Sequence, residues 1–157
     1  MKLEIWAIGK TTPDWLNAGI QEFLKRVQTF QSLDFVVFSD VKNAKSLRTD
    51  SLKAKEGEAI LQKLQNDDLL VLFDDKGKSF SSETFALYLE KLRLSSKKRT
   101  VFLIGGAYGF SDEIYKRADF KVSLSSMTFS HQMIRLIAVE QIYRGFSILH
   151  NHPYHNP

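Results

Sequence analysis

The chain has 157 residues, 43% of them hydrophobic and 25% charged, with a formal net charge of +4 and no cysteine. That length fits one domain, residues 1–157, with a substantial core, and the composition excludes global disorder. The lack of cysteine excludes a disulfide framework, a thiolate metal site and a cysteine nucleophile, while the small basic excess fits either an anionic partner such as RNA or an ordinary small enzyme.

The first residues, Met1 to Trp6, lack the apolar core and cleavage site of a signal peptide, and no apolar run approaches the ~20 residues of a membrane helix. The expectation is a cytoplasmic protein without a membrane partner. Lys2 to Ile8 alternates like a strand and stops at Gly9-Lys10. Pro13-Asp14 opens a helix whose apolar face is Leu16, Ile20, Phe23, Leu24, Val27 and Phe30, at spacings of three and four. Phe35 to Phe38 is a short β run. Val41 to Asp50, with Lys42, Lys45 and Arg48, reads as a loop. A helix follows from Ser51 to Gln65, with Ile60, Leu61 and Leu64 inward.

Leu69 to Phe73 is an unbroken apolar strand ending in Asp74-Asp75-Lys76-Gly77-Lys78, which reads as a solvated turn. Ser82 and Glu83 start a helix showing Phe85, Tyr88, Leu89 and Leu92. Lys97-Lys98-Arg99 precedes the strand Thr100 to Ile104. Ser111-Asp112-Glu113 caps a short helix to Ala118, its acids placed well for the helix dipole. The strand Phe120 to Leu124 and a helix from Ser130 to Leu149 complete the order. Apolar strands alternating with amphipathic helices predict an α/β fold: a parallel sheet with helices on both faces.

Two strand-to-loop junctions carry the functional signal. Gly105-Gly106-x-x-Gly109 follows a strand and precedes a helix; glycines let backbone N–H groups approach a ligand, though a tight turn explains them equally. Ser125 to Phe129 offers hydroxyls and free backbone groups, and Ser130 is a candidate N-cap for the last helix. The pair predicts a ligand site at the carboxyl ends of neighbouring strands, as in open α/β sheets. His131 and Arg135, four apart, are placed on one side of that helix. Arg144 lies about half a turn away from Arg135 at ~100° per residue, and four after Glu140, so a surface ion pair is its plainer role.

The last helix is apolar most of the way round, which predicts a second buried side and hence a homodimer. The tail, Asn151 to His155, is the kind of segment that reaches over a site. Its histidines lack a nearby carboxylate or thiol, so no metal is expected.

These residues resemble a known family. Leu103-Ile104-Gly105-Gly106-x-x-Gly109, Leu124-Ser125-x-Met127-Thr128-Phe129-x-His131-Gln132-Met133-x-Arg135, Glu140-Gln141-x-Tyr143-Arg144 and Asn151-His152-Pro153-Tyr154-His155 are similar to the ribosomal RNA large subunit methyltransferase H family of the SPOUT superfamily. Ala7-x-Gly9-Lys10, Pro13-Asp14-Trp15 and Lys55-Glu56-Gly57 extend the likeness over the whole chain. The resemblance implies a parallel-sheet fold with a C-terminal trefoil knot, and a cytoplasmic homodimer acting on assembled ribosomes.

The implied reaction is methylation of N3 of a pseudouridine in helix 69 of large-subunit (23S) ribosomal RNA, using S-adenosyl-L-methionine. Implied cofactor contacts fall at Phe73, Gly105, Leu124, Ser125, Ser126, Met127, Thr128 and Phe129. Implied catalytic groups are His152, Tyr154 and His155 of the tail, with Arg135 or Arg144. The same residues fit two alternatives: a SPOUT enzyme for another RNA such as tRNA, or a non-catalytic RNA-binding α/β module. Ser130 stands where familiar members carry Pro, which restores an N–H. Lys42-Lys45-Arg48 and Lys97-Lys98-Arg99 are equal candidates for binding phosphates.

Overall fold

The computed structural model describes all residues, Met1–Pro157. The strands β1 (Lys2–Ile8), β2 (Leu33–Phe38), β3 (Leu69–Ser79), β4 (Arg99–Ile104) and β5 (Phe120–Ser123) form a 5-stranded sheet in the order β2-β1-β4-β3-β5. Every neighbouring pair is parallel. Parallel neighbours require crossovers, and these contain α1 (Asp14–Val27), α2 (Thr49–Lys63), α3 (Ser82–Arg93) and α4 (Asp112–Arg117). Helix α5 (Met133–Leu149) follows the last strand.

Strand periodicity divides the core into two layers. Leu3, Ile5 and Ala7 of β1 pack with Ile20 of α1, Leu89 of α3 and Phe146 of α5. Trp6 and Ile8, pointing the other way, pack with Ile60 of α2 and Ile114 of α4. Helices therefore cover both faces, as the sequence predicts. Each fully buried side chain of this size contributes roughly 1.5–3 kcal/mol.

At the amino edge of the sheet, buried Glu4 accepts from Trp6 Nε1 at 2.6 Å and pairs with Lys2 at 3.0 Å and Arg99 at 3.6 Å. Arg99 also donates to Asp68 through Nε at 3.0 Å. This network offsets the cost of burying two carboxylates.

Helix α5 lies between α1 and α3 and over the sheet, which explains much of its all-round apolar character. Gly145 permits the close approach of α3: a Cβ there would lie 2.5 Å from Leu89 Cδ1. The side away from these neighbours, running Ile134, Ile137, Gln141, Arg144 and Ile148, stays half-buried.

Several boundaries differ from the sequence reading. The loop after β2 contains a 3-10 turn at Ala44–Ser46, and α2 begins at Thr49. Leu52, Gly57 and Ile60 are the buried residues of α2, whereas Leu61 and Leu64 are half-buried. Ser81, not Ser82, caps α3, accepting from Thr84 N–H at 3.2 Å. The last helix begins at Met133 with Gln132, not Ser130, in the N-cap position, and Ser130 Oγ accepts from Met133 N–H at 3.1 Å from the turn that precedes it. His131 consequently precedes the helix.

Strand β3 does not stop at Phe73. After a bulge, Lys78 and Ser79 pair with Val122 and Ser123. Gly77 makes this possible, because a Cβ there would sit 2.6 Å from the Val122 backbone. Asp74 and Asp75 therefore belong to a bulged strand rather than a solvated turn.

Candidate functional site

The carboxyl ends of β4, β3 and β5 open into a cleft of about 420 Å³, within the range of small-molecule sites. The two signal-bearing junctions meet there, but they are not neighbours. Strand β3 lies between β4 and β5, so Phe73 and Asp74 form the floor between the glycine turn and the serine loop. The parallel sheet brings all these ends to one edge, where no further strand residue closes the opening.

The glycine turn is folded back on itself. Gly109, with φ of 83°, donates through its N–H to the Gly106 carbonyl at 3.2 Å. A Cβ on Gly105 would crowd the Phe110 ring at 3.2 Å, and one on Gly106 would meet the Glu56 carboxylate at 2.9 Å. The turn thus presents bare backbone to the cleft.

The serine loop is held by its own hydroxyls. Ser123 Oγ donates to the Ser125 carbonyl at 2.9 Å, and Ser125 Oγ accepts from Met127 N–H at 2.9 Å. The N–H groups of Ser126, Thr128 and Phe129 have no partner in the chain. Met127 projects outward, 78% exposed.

Of the expected cofactor contacts, Phe73, Gly105, Leu124, Ser125, Met127, Thr128 and Phe129 line the cleft, and Ser126 does not. Phe73 is buried, and its ring stacks on Phe102 at 5.4 Å, so that face is taken by the core. Sequence reasoning missed Tyr115 and Phe110 and read Asp74 as part of a solvated turn, and all three line the cleft together with His131. The discoverable signal was position: α4 starts directly after the glycine turn. Tyr115 donates its hydroxyl to Asp74 at 2.5 Å, and burial followed by that carboxylate pushes its pKa well above the ordinary tyrosine range. It therefore stays a protonated donor at neutral pH.

The expected catalytic groups divide into separate places. Arg135 is fully buried. It donates to the carbonyls of Ile8 at 2.6 Å, Gly9 at 2.7 Å and His131 at 3.1 Å, and to Thr11 Oγ1 at 3.0 Å. This corrects the expectation that Arg135 could reach a substrate: its donors are engaged by three backbone carbonyls and the Thr11 hydroxyl, and it braces the loop leading from the cleft into α5.

Arg144, Tyr154 and His155 do come together. Arg144 pairs with Glu140 at 2.5 Å, lies 4.8 Å over the Tyr154 ring and approaches His155 Nδ1 at 3.3 Å. Tyr154 donates to Glu140 at 2.9 Å, and His155 Nε2 faces Glu83 at 3.0 Å. His152 instead meets the edge of Phe30 at 5.8 Å.

None of these tail groups lines the cleft of the same protomer. The tail folds back along α5 to reach Arg144 and Glu140 in the middle of that 17-residue helix, whose first turn borders the cleft through Ile134. The tail therefore leaves the cleft of its own protomer uncovered. A second cavity, about 460 Å³, adjoins the first through Ser123, Leu124, Ser125 and Phe129, and is also lined by Ser81, Ile137 and Gln141. No group of His, Asp and Glu has metal-binding geometry, and no helix is long and apolar enough to cross a membrane.

Sequence comparison places these features in context. A family described as predicted SPOUT methyltransferases matches residues 1–155. The chain is 49% identical over 156 residues to "Ribosomal RNA large subunit methyltransferase H" of Christiangramia forsetii, covering 99% of each chain. It is 50% identical to proteins of the same name from Parabacteroides distasonis and Flavobacterium johnsoniae, again over 99% of both chains.

Proposed function

The chain belongs to the SPOUT methyltransferase family, and on that premise we propose that it transfers a methyl group from S-adenosyl-L-methionine to a base of large-subunit ribosomal RNA. The observation carrying this reading is the cleft itself: bare glycine backbone on one wall, unpartnered loop N–H groups on the other, and Phe73 between them. Its volume and mixed apolar and polar lining fit a nucleoside with an amino-acid arm. Phe73, Gly105, Leu124, Ser125, Met127, Thr128 and Phe129 would hold the cofactor, with Ser126 at the exposed outer side of the loop. When bound, the cofactor supplies a methyl group activated on a sulfonium centre.

The chain's own contribution is alignment and charge stabilisation. The finer target, N3 of a pseudouridine in helix 69 on assembled ribosomes, rests on the family resemblance together with the full-length likeness to the named relatives. So do the single-domain organisation, the C-terminal trefoil knot and the cytoplasmic location. The reading also includes a homodimer, supported by the half-buried outward stripe of α5. In such a dimer the partner's tail approaches the cleft, bringing its own copies of Arg144, Tyr154 and His155 to stabilise or deprotonate the imide.

The test is methyl transfer from labelled S-adenosylmethionine to ribosomes, large-subunit RNA and tRNA, followed by mass mapping. Label confined to one pseudouridine of large-subunit RNA is the expected result; label in tRNA, or none, overturns it.

A further inference from the structure

The two basic segments lie at opposite edges of the sheet. Lys42, Lys45 and Arg48 follow the carboxyl end of β2, and because every strand is parallel this is the edge that carries the cleft. Lys97, Lys98 and Arg99 precede or begin β4, at the amino edge. Arg99 is already engaged by Asp68 and Glu4.

The cleft-edge segment is differently placed. Lys42, Lys45 and Arg48 are exposed and form no ion pair. Its flanking acids do not neutralise it: Asp50 faces Lys53 at 4.0 Å, and Asp40 points at Gly9. Asn43, at φ 56°, and the following 3-10 turn give the segment a defined shape. Exposed Lys10 continues the row at the end of β1.

Helix α2 sets the distance to the cleft. It starts directly after Arg48, and its Glu56 lies against Gly106 of the glycine turn. Eight residues of helix span ~12 Å, so the basic segment stands about that far from the cleft wall along α2.

We propose that Lys42, Lys45 and Arg48 form a docking surface for the phosphate backbone of the RNA whose base enters the cleft, and that the Lys97-Lys98 segment takes no part. This rests on the RNA methyltransferase reading and names the surface by which the same site holds its substrate. Lysines and arginines that neutralise phosphates release counterions, so their removal lowers both affinity and its salt dependence.

The test compares wild type with the triple variant Lys42→Gln/Lys45→Gln/Arg48→Gln and with Lys97→Gln/Lys98→Gln. Binding to protein-free large-subunit RNA is measured across salt, alongside turnover on ribosomes. The triple variant should bind RNA with a log–log salt slope smaller by about 2–3 and weaker by about tenfold or more. Its KM for ribosomes should rise by a similar factor, with kcat, cofactor affinity and melting temperature unchanged, and the Lys97-Lys98 variant should match wild type.

Equal losses in both variants would reduce the effect to net charge and overturn the proposal. So would a KM effect on ribosomes with no change on protein-free RNA, which would mark an acidic protein as the partner. Wild-type protein that methylates no large-subunit RNA would instead defeat the functional reading, whatever the variants do.

Discussion

The guanidinium of Arg135, on α5, donates to the Gly9 carbonyl at the end of β1 at 2.7 Å, joining positions 126 residues apart. The same group holds Ile8 O, Thr11 Oγ1 and His131 O. Burial lowers its affinity for its proton, with Asp40 opposing, but an arginine remains charged at any physiological pH. Replacing it with Met strips several buried acceptors of their donor, each worth about 1–3 kcal/mol when unsatisfied. We expect a loss of roughly 3–5 kcal/mol and a fall in Tm on the order of 10 °C, with Arg135→Lys intermediate. Calorimetry checks this; an unchanged Tm contradicts the bracing role.

Gly105 tests the cleft. A side chain there must displace the Phe110 ring, which itself lines the cleft, and a branched one displaces it further. Gly105→Val should weaken S-adenosylmethionine binding by about a hundredfold, equivalent to ~2.7 kcal/mol, while far-ultraviolet circular dichroism stays native. Calorimetric affinity equal to wild type would remove the cleft from the mechanism.

Glu56 makes stability depend on pH. Burial, and secondarily Asp40, raise its pKa above the ordinary glutamate value. For a raised carboxyl the folded state holds the proton more tightly than the unfolded chain does. Its stabilising contribution is complete below the unfolded pKa and disappears as pH rises through the folded one. Glu56→Gln should therefore be more stable than wild type at pH 7, with the difference closing towards pH 4. Urea midpoints at both pH values measure it, and a difference that widens on acidification refutes the assignment.

The tail lies away from the cleft of its own protomer. Truncation after Leu149 removes Tyr154 from Tyr143, 4.7 Å away, and His155 from Arg144. Cofactor affinity should remain within about twofold, because no cleft contact is lost, while methyl transfer falls by about a thousandfold or more. Full turnover by the truncated protein would exclude the tail.

The outward stripe of α5 should carry the dimer contact. Ile148→Glu places a charge on that stripe far from the cleft, and a buried unpaired charge is strongly unfavourable at an interface. Light scattering should show a dimer for wild type and a monomer for the variant. A wild-type monomer at micromolar concentration rules out the assembly.

Local physics accounts for what could be read directly. Spacings of three and four placed Leu16, Ile20 and Val27 on the buried face of α1, and apolar runs located the strands. Glycine and serine clusters marked both walls of the cleft, because backbone exposure and hydroxyl capping are properties of short segments. Boundaries drifted where tertiary pairing prevailed, as in β3, which continues past Phe73 because Val122 and Ser123 offer it partners.

By itself, then, the chain determined its element order, its two-sided core and the residue types available for chemistry, since these follow from periodicity and side-chain character. Only the tertiary structure decided that β3 separates the two functional turns, that Arg135 is enclosed, that the basic segments face opposite edges, and that each tail leaves its own cleft uncovered. Strand order and helix packing join residues remote in sequence, and no local pattern encodes which distant surfaces will bury one another.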